Sequence, residues 1–248
     1  MPRALIARCM RRIGLVLFGV AATFGPPASA AGFGGSIGLV SDQVYRGISV
    51  TGGRAALLTE LNYATDTGWS VSLGSIFADV DAPARIAQLS FTAGRAWQLG
   101  ADSAAQLNYA HRAYPGGGRP RYYANYEDYD ELSASLDWQG RWFATVAVSP
   151  RFSVRVTPDR LESAPAVSFE LGYRQRLRDR LALDIGLGYV DPHAAPNGGY
   201  AYGSIGLSGG IGPVQTSLTW LASRAAEKQF APALLAGRRW VVAAIWSF

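Results

Sequence analysis

Charged and amide side chains recur at every second position of segments whose other positions are apolar. In the stretch LALDIGLGY, for example, Asp184 stands on the face opposite Leu183 and Ile185. Because alternate side chains of an extended chain share one face of a sheet, this spacing collects acids and arginines on a common surface. The residues predicted to lie on that surface are Asp42, Arg46, Glu60, Gln88, Gln106, Asn108, Arg112, Glu131, Asp137, Arg151, Glu170, Arg174, Asp184 and Arg239.

The near balance of acids and arginines on this face suits two kinds of chemistry. Charges that line a pore set its ion selectivity, and opposed arrays of the two signs create a field across it. The same side chains can instead form salt bridges that fill the interior of a narrow barrel. Both interpretations stay open, and a conducting lumen is favoured.

An aromatic and acidic stretch, RYYANYEDYDE, is the second candidate site. Its tyrosines suit stacking on sugar rings or lining a constriction, and its acids suit a divalent cation, which prefers oxygen ligands. An aromatic girdle at a membrane interface and a solvated acidic rim are favoured, because the acids lack the spacing of a cation-binding loop. The residues concerned are Tyr122, Tyr123, Tyr126 and Tyr129, with Glu127, Asp128, Asp130 and Glu131.

Two histidines are the remaining candidates for catalysis or metal binding. A hydrolase of membrane lipids would need a nucleophile, a histidine and an acid in mutual contact. His111 falls on an apolar face near Tyr109, and His193 falls in the connection DPHAAPNGG. Neither has a recognisable nucleophile or a metal-ligand spacing beside it. No catalytic residue, metal or cofactor is therefore predicted, and a lipid-modifying enzyme stays an alternative.

The elements that position these side chains are predicted to be strands, since period-2 alternation runs through most of the chain. Many of these segments approach the ~9–11 residues of a tilted membrane strand. The twelve candidate strands are about 36–48, 55–64, 68–79, 86–99, 103–114, 127–138, 141–151, 165–177, 181–191, 200–209, 213–223 and 238–248.

The order of the connections favours a membrane barrel over a water-soluble sandwich. Tight connections such as Asp66-Thr67 and Gln139-Gly140 alternate with longer ones such as 115–126, as in outer-membrane barrels. Closure would satisfy the backbone within lipid and leave no sheet edge. The prediction is a single all-β domain, 31–248, that forms a transmembrane antiparallel up-and-down β-barrel with its apolar faces outward.

Residues 1–30 have the pattern of a secretory signal peptide. Four arginines precede an apolar run, and Ala28-Ser29-Ala30 follows it as a cleavage site. Cleavage would remove four arginines and no acid, which lowers the formal net charge from +5 to +1. The high pI therefore does not indicate nucleic acid. The only cysteine, Cys9, would also leave, so disulfides and thiol chemistry are excluded.

Two stretches resemble the TorF-type porin family. In SDQVYRGIS, Ser41, Asp42, Tyr45, Arg46 and Gly47 match its first strand, and Gln43 replaces an aromatic residue. Tyr114-Pro115-Gly116 and Tyr129-Asp130-Glu131-Leu132 resemble two later elements, whereas FADVDAPARIAQLSF lacks an expected Glu-x-Asp. The resemblance implies an outer-membrane β-barrel of the porin type and names no substrate.

The stretch RRWVVAAIWSF is predicted to be the last strand, paired with the first near Ser36–Ile48. Trp246 and Phe248 share one face, and they resemble the signal that barrel-assembly machinery recognises. Simple anchorage in lipid is the alternative.

The sequence thus predicts an outer-membrane protein of a Gram-negative cell that lets small hydrophilic solutes or ions diffuse through a narrow, charge-lined lumen. Its expected partners are outer-membrane lipid and lipopolysaccharide, the barrel-assembly machinery and the solute. A lipid-modifying enzyme and a closed structural or adhesion barrel are the alternative functions.

Overall fold

A computed structural model gives the fold, and it describes residues 31–78, 85–115, 128–157, 160–193, 199–225 and 237–248. The signal peptide and most of the tyrosine-rich stretch fall outside these ranges. No helix among the described residues is long and apolar enough to span a membrane.

Twelve antiparallel strands of the described ranges close into one barrel, in which each strand pairs with its neighbours along the chain and the first pairs with the last. Register pairs such as Ile37–Trp246 join the first strand to the last. The barrel strands are β1 Gly32–Val40, β4 Ala56–Ala64, β5 Trp69–Ala78, β6 Arg85–Gln98, β7 Ser103–Ala113, β8 Tyr129–Trp138, β9 Trp142–Thr157, β10 Arg160–Arg178, β11 Leu181–Pro192, β12 Tyr200–Ile211, β13 Val214–Ala225 and β14 Arg238–Ser247.

A further short ribbon, β2 Val44–Tyr45 with β3 Ile48–Ser49, lies in the connection between β1 and β4. The predicted first strand, 36–48, was therefore wrong beyond Val40, where the chain leaves the wall. The predicted connection 152–164 was also wrong, because β9 and β10 extend through most of it.

The apolar faces point outward and the polar faces inward, as predicted. On β14, Trp240 and Val242 are 62% and 53% exposed, whereas the intervening Val241 is 2% exposed. On β7, Leu107 is outward while Gln106 and Asn108 are buried inside. The closed sheet pairs its backbone groups internally, so this apolar exterior suits a hydrocarbon environment.

The two ends of the barrel differ in their connections. The turn end carries the tight connections 65–68, 99–102, 139–141, 179–180 and 212–213, and the loop end carries the mostly longer ones. In the turn between β8 and β9, Gln139 and Gly140 both have a φ of 59°, which is the backbone of a two-residue hairpin turn that matches strand twist.

Tryptophans form a belt around the outside of the turn end. Each lies outward within a few residues of a strand terminus there, and the members of this tryptophan belt are Trp69, Trp97, Trp138, Trp142 and Trp246. Arg95 lies among them, with its guanidinium 5.3 Å from the Trp69 ring and 5.4 Å from the Trp97 ring. Such belts mark the membrane–water interface of transmembrane barrels.

Candidate functional site

The connection between β1 and β4, residues 41–55, folds into the loop end of the lumen, and we call it the inward segment. Asp42, Val50 and Thr51 are 4%, 6% and 0% exposed. Its tip is the Arg46-Gly47 turn between β2 and β3, where both residues have a positive φ, 48° and 74°. A non-glycine residue in this backbone region costs free energy that its surroundings must offset.

Asp42 stabilises the base of the inward segment. Its Oδ1 accepts hydrogen bonds from Ser49 Oγ at 2.6 Å, Thr51 Oγ1 at 2.9 Å and the Gly53 amide at 3.2 Å. Its Oδ2 accepts one from Arg239 on β14. One carboxylate thus ties the segment both to itself and to the wall.

Arg46 holds the tip across the lumen. Its Nε donates to Glu170 Oε1 on β10 at 2.9 Å, and its two terminal nitrogens donate to the carboxylate of Glu131 on β8. The Tyr45 hydroxyl also donates to Glu131, at 2.9 Å. Burial raises the pKa of the Tyr45 phenol well above its usual value, so this hydroxyl keeps its proton.

A second arginine, Arg112 on β7, completes the charge balance of the cluster. Its guanidinium lies 4.3 Å from the centre of the Tyr45 ring, and its NH1 lies 3.7 Å from Glu131 Oε1. The side chain is buried, and neither Nε nor NH1 donates a hydrogen bond to a described residue. Two arginines therefore face two glutamates in a space from which water is largely excluded. We call Tyr45, Arg46, Arg112, Glu131 and Glu170 the tip cluster.

The space left beside the tip cluster is small. A cavity of about 20 Å³ remains there, and Tyr45, Ser168 and Tyr200 are among the residues that line it. Tyr200 is 1% exposed, and the buried Ser168 Oγ has no hydrogen-bond partner among the described residues. This volume is enough for about one water molecule, so the inward segment, among the described residues, fills most of the lumen beside the tip cluster.

The turn-end half of the lumen is polar and more accessible. Arg174 Nε donates to Asp184 Oδ1 at 2.6 Å, and Ser208 Oγ donates to Asp184 Oδ2 at 2.5 Å. Arg174 and Asp184 keep 16% and 19% of their side chains exposed, compared with 4% for Glu131. Glu60 and Asp137 also lie inward and partly exposed, and neither has an arginine partner among the described residues.

The structure brings together some of the residues predicted on the inner face and separates others. Asp42 and Arg46 do not pair with each other, because they lie at the base and tip of the inward segment. Gln106 Nε2 donates to Asn108 Oδ1 at 2.9 Å, away from the tip cluster. Arg151, predicted inward, is instead exposed next to a register shift of β9.

The tyrosine-rich stretch is described only at its end. Tyr122, Tyr123, Tyr126 and Glu127 lie outside the described residues. Tyr129, predicted in an outer loop, begins β8 and points inward, where it is 5% exposed and stacks on Tyr114 at 6.3 Å. Within the part of the chain that the structure describes, no group of three or more His, Cys, Asp or Glu side chains could hold a metal ion.

Three contacts were not predicted from the sequence. Tyr45 was not expected to bond Glu131, Arg239 was not expected to bond Asp42, and His111 was not expected to pair with Asp130, from which its Nδ1 lies 2.9 Å. The contact between His111 and Asp130 follows from the β7–β8 register, in which these two residues lie opposite each other. Aligning the two strands as a hairpin would have predicted it. His193 lies exposed at the end of β11, with its amide bonded to the Pro165 carbonyl.

The terminal strand closes the barrel. The amide of Phe248 donates to the Gly35 carbonyl at 3.0 Å, and the Gly35 amide donates back to Phe248 at 3.0 Å. The rings of Trp246 and Phe248 lie 5.1 Å apart. The predicted pairing of the last strand with the first is confirmed, while recognition by assembly machinery stays a prediction.

Replacing Gly47 by alanine is expected to disrupt the packing of the inward segment against β12 and so to destabilise the protein. The new Cβ would lie 2.6 Å from Tyr202 Cβ, and the φ of 74° disfavours any side chain. Overpacking of this kind costs about 1–3 kcal/mol, to be measured as a loss in the free energy of unfolding in urea. Gly140→Ala is the matched control, since Gly140 has a φ of 59° but no atom within 4 Å of a new Cβ. Equal losses of unfolding free energy in the two variants would show that the tip does not pack tightly against Tyr202.

Comparisons with known proteins give a family and a fold. Residues 25–157 match the model of the Gcw_chp family, described as a bacterial protein of unknown function. No curated protein matches the chain in sequence.

Solved porins share the fold. A KdgM porin is 6% identical, with a TM-score of 0.54 over 87% of this chain and 99% of that one. A NanC porin is 8% identical, with a TM-score of 0.54 over 88% and 99%. OmpF of Salmonella typhi, in complex with daunomycin, is 6% identical, with a TM-score of 0.52 over 88% and 97%.

Proposed function

Since the chain belongs to the Gcw_chp family, whose function is unknown, its role has to be inferred from its own barrel, and we propose that it is an outer-membrane channel for small hydrophilic solutes. The inward segment closes the channel at the loop end. The observation that carries the proposal is a polar lumen whose loop end is occupied by a segment that is not part of the wall.

Placement in the outer membrane is supported by the outer surface of the barrel. Its strands are apolar outside, and the tryptophan belt lies at one end, as a membrane interface requires. The porin fold of the solved neighbours agrees with this placement. The tight turns then face the periplasm and the loop end faces outward.

Passage of solutes is supported by the architecture of the inward segment. Its contacts with the wall combine the apolar packing of Val44, Ile48 and Val50 with hydrogen bonds and ion pairs, which water can replace. The segment also joins two strands that pair directly with each other. Displacement of the segment therefore breaks no strand pairing of the barrel. Conductance of the refolded protein in a planar bilayer tests the proposal, and a complete absence of current through wild-type protein and through variants that release the segment would refute it.

The unpaired acids of the turn-end half predict a preference for cations. A charge about 10 Å from an ion in water changes its energy by about 0.4 kcal/mol, which is roughly a factor of two in partition. We expect Glu60→Gln combined with Asp137→Asn to lower the cation-to-anion permeability ratio, measured as a reversal potential in a salt gradient. Asp130→Asn is the control, because Asp130 is exposed on the outer wall, and an equal effect from it would contradict the assignment.

A closed structural barrel is the second candidate function. The specific observation that favours it is the ion-pair bridge from Arg46 to Glu131 and Glu170, which spans the lumen. A closed barrel predicts that solutes stay excluded even after this bridge is broken, so the two functions differ in one measurement.

A further inference from the structure

A polar cluster interrupts the apolar outer wall at the loop end of β7 and β8. The Tyr109 hydroxyl donates to Asp130 Oδ1 at 2.6 Å, and His111 Nδ1 lies 2.9 Å from the same oxygen. An ionised carboxylate only accepts hydrogen bonds, so Nδ1 carries a proton, and in the imidazolium form Nε2 is a second donor that faces no described partner. His111 and Asp130 are 44% and 53% exposed.

Arg151 adds a cation to this cluster. It is exposed beside the register shift of β9, and Ser149 Oγ, which donates to the Asp130 carbonyl at 2.7 Å, also lies 3.3 Å from the Arg151 carbonyl. Asp130 is already engaged by Tyr109 and His111, so its charge is partly neutralised within the wall. The groups left to meet a ligand are the Arg151 guanidinium and Nε2 of His111 in its imidazolium form, and both of these donors suit a phosphate.

Further along the same wall, towards the turn end, lies an apolar groove of about 680 Å³. Small side chains, Ala134 and Ala144, leave room within its lining, and Phe169 and Tyr189 stand beside them. Both aromatic residues are outward, at 53% and 43% exposed. The volume is that of a typical small-molecule site, here open to the outside of the barrel.

The polar cluster and the groove belong to one continuous surface. Asp130 and Ala134 share the outward face of β8, four residues apart, which is about 14 Å at ~3.4 Å per residue. Between them lie Leu132 and its neighbour Val148, which are exposed and apolar. A ligand that occupies both ends must therefore be polar at the loop end and apolar for the rest of its length.

We propose that this surface binds an acyl lipid with a phosphate-bearing headgroup, in the leaflet at the loop end. Arg151 and His111 contact the phosphate, and one acyl chain runs over Leu132 into the groove beside Ala134 and Ala144. The site rests on the placement of the barrel in the outer membrane, and it does not depend on conduction.

Native mass spectrometry of the detergent-solubilised full chain with added lipid A tests the proposal. We expect the wild-type protein to retain one lipid, and dephosphorylated lipid A to be retained severalfold less. Ala144→Phe fills the groove and the pair His111→Ala with Arg151→Ala removes the headgroup contacts, so each is expected to lower retention severalfold. Ala244→Phe is the matched control, since Ala244 is an exposed outward alanine on β14, outside the groove.

The outcomes separate this site from the channel. Any one of three outcomes overturns the lipid site. The wild-type protein retains no lipid, it retains dephosphorylated lipid A as well as lipid A, or Ala144→Phe retains as much lipid as the wild type. Bilayer conductance of the same preparations is expected to be unchanged by Ala144→Phe. Retained lipid without any conductance would refute the channel and leave the lipid site intact.

Discussion

Replacing Arg46 by alanine is expected to open the barrel. Removing one partner of a buried ion pair costs about 3–5 kcal/mol, and Arg46 is the partner that joins the tip of the inward segment to both Glu131 and Glu170. A loss of 3 kcal/mol is a factor of about 150 in an equilibrium constant, so the fraction of barrels with a displaced segment should rise by about two orders of magnitude. Single-channel recording in planar bilayers measures this as open probability.

The control for this variant is Arg174→Ala. Arg174 is also an inward arginine paired with an acid, Asp184, but it lies in the turn-end half and does not contact the inward segment. Its loss should alter ion selectivity without changing open probability. A wild-type level of opening in Arg46→Ala, with the barrel correctly folded, would favour the closed structural barrel.

Replacing Glu131 by alanine is expected to have the largest effect on stability. Glu131 accepts hydrogen bonds from Tyr45 and Arg46, and it is the acid that lies nearest Arg112. Without it, two buried guanidinium groups lose a counter-charge, and we expect the free energy of unfolding to fall by about 3–5 kcal/mol. Urea unfolding, followed by the gel mobility of the folded barrel, measures the change.

Glu60→Ala serves as the comparison for Glu131→Ala. Glu60 is likewise an inward glutamate, but its only hydrogen bond from a described side chain is a 3.4 Å contact with Asn62. Its removal should leave stability nearly unchanged. If the two variants unfold at the same urea concentration, the tip cluster does not stabilise the barrel.

The strands could be predicted from the sequence because each presents one apolar face to the outside of the barrel. The alternation through β11 predicted 181–191, and the strand observed is Leu181–Pro192. Alternation could not locate the end of β1, since Val44 and Tyr45 are also extended. The backbone turns at Arg46-Gly47, where both φ values are positive, and hydrophobic alternation carries no signal of this turn.

The members of the candidate site were easier to predict than their partners. Arg46, Arg112, Glu131 and Glu170 were all expected on the inner face, because each lies at an alternate position of an apolar segment. Which acid meets which arginine depends on where the inward segment enters the lumen, and that is a tertiary property. Tyr45 was missed for the same reason, since it lies in the segment that was interpreted as wall.

The direct pairing of β1 with β4 has a consequence for how this barrel can change over evolutionary time. The 41–55 connection begins at Val40 and ends at Ala56, which are register partners in the wall. The two ends of the connection therefore stay adjacent whatever lies between them, so its length and composition can vary without moving a strand. This one short stretch of chain can therefore be exchanged for another, while the twelve-stranded scaffold is inherited intact.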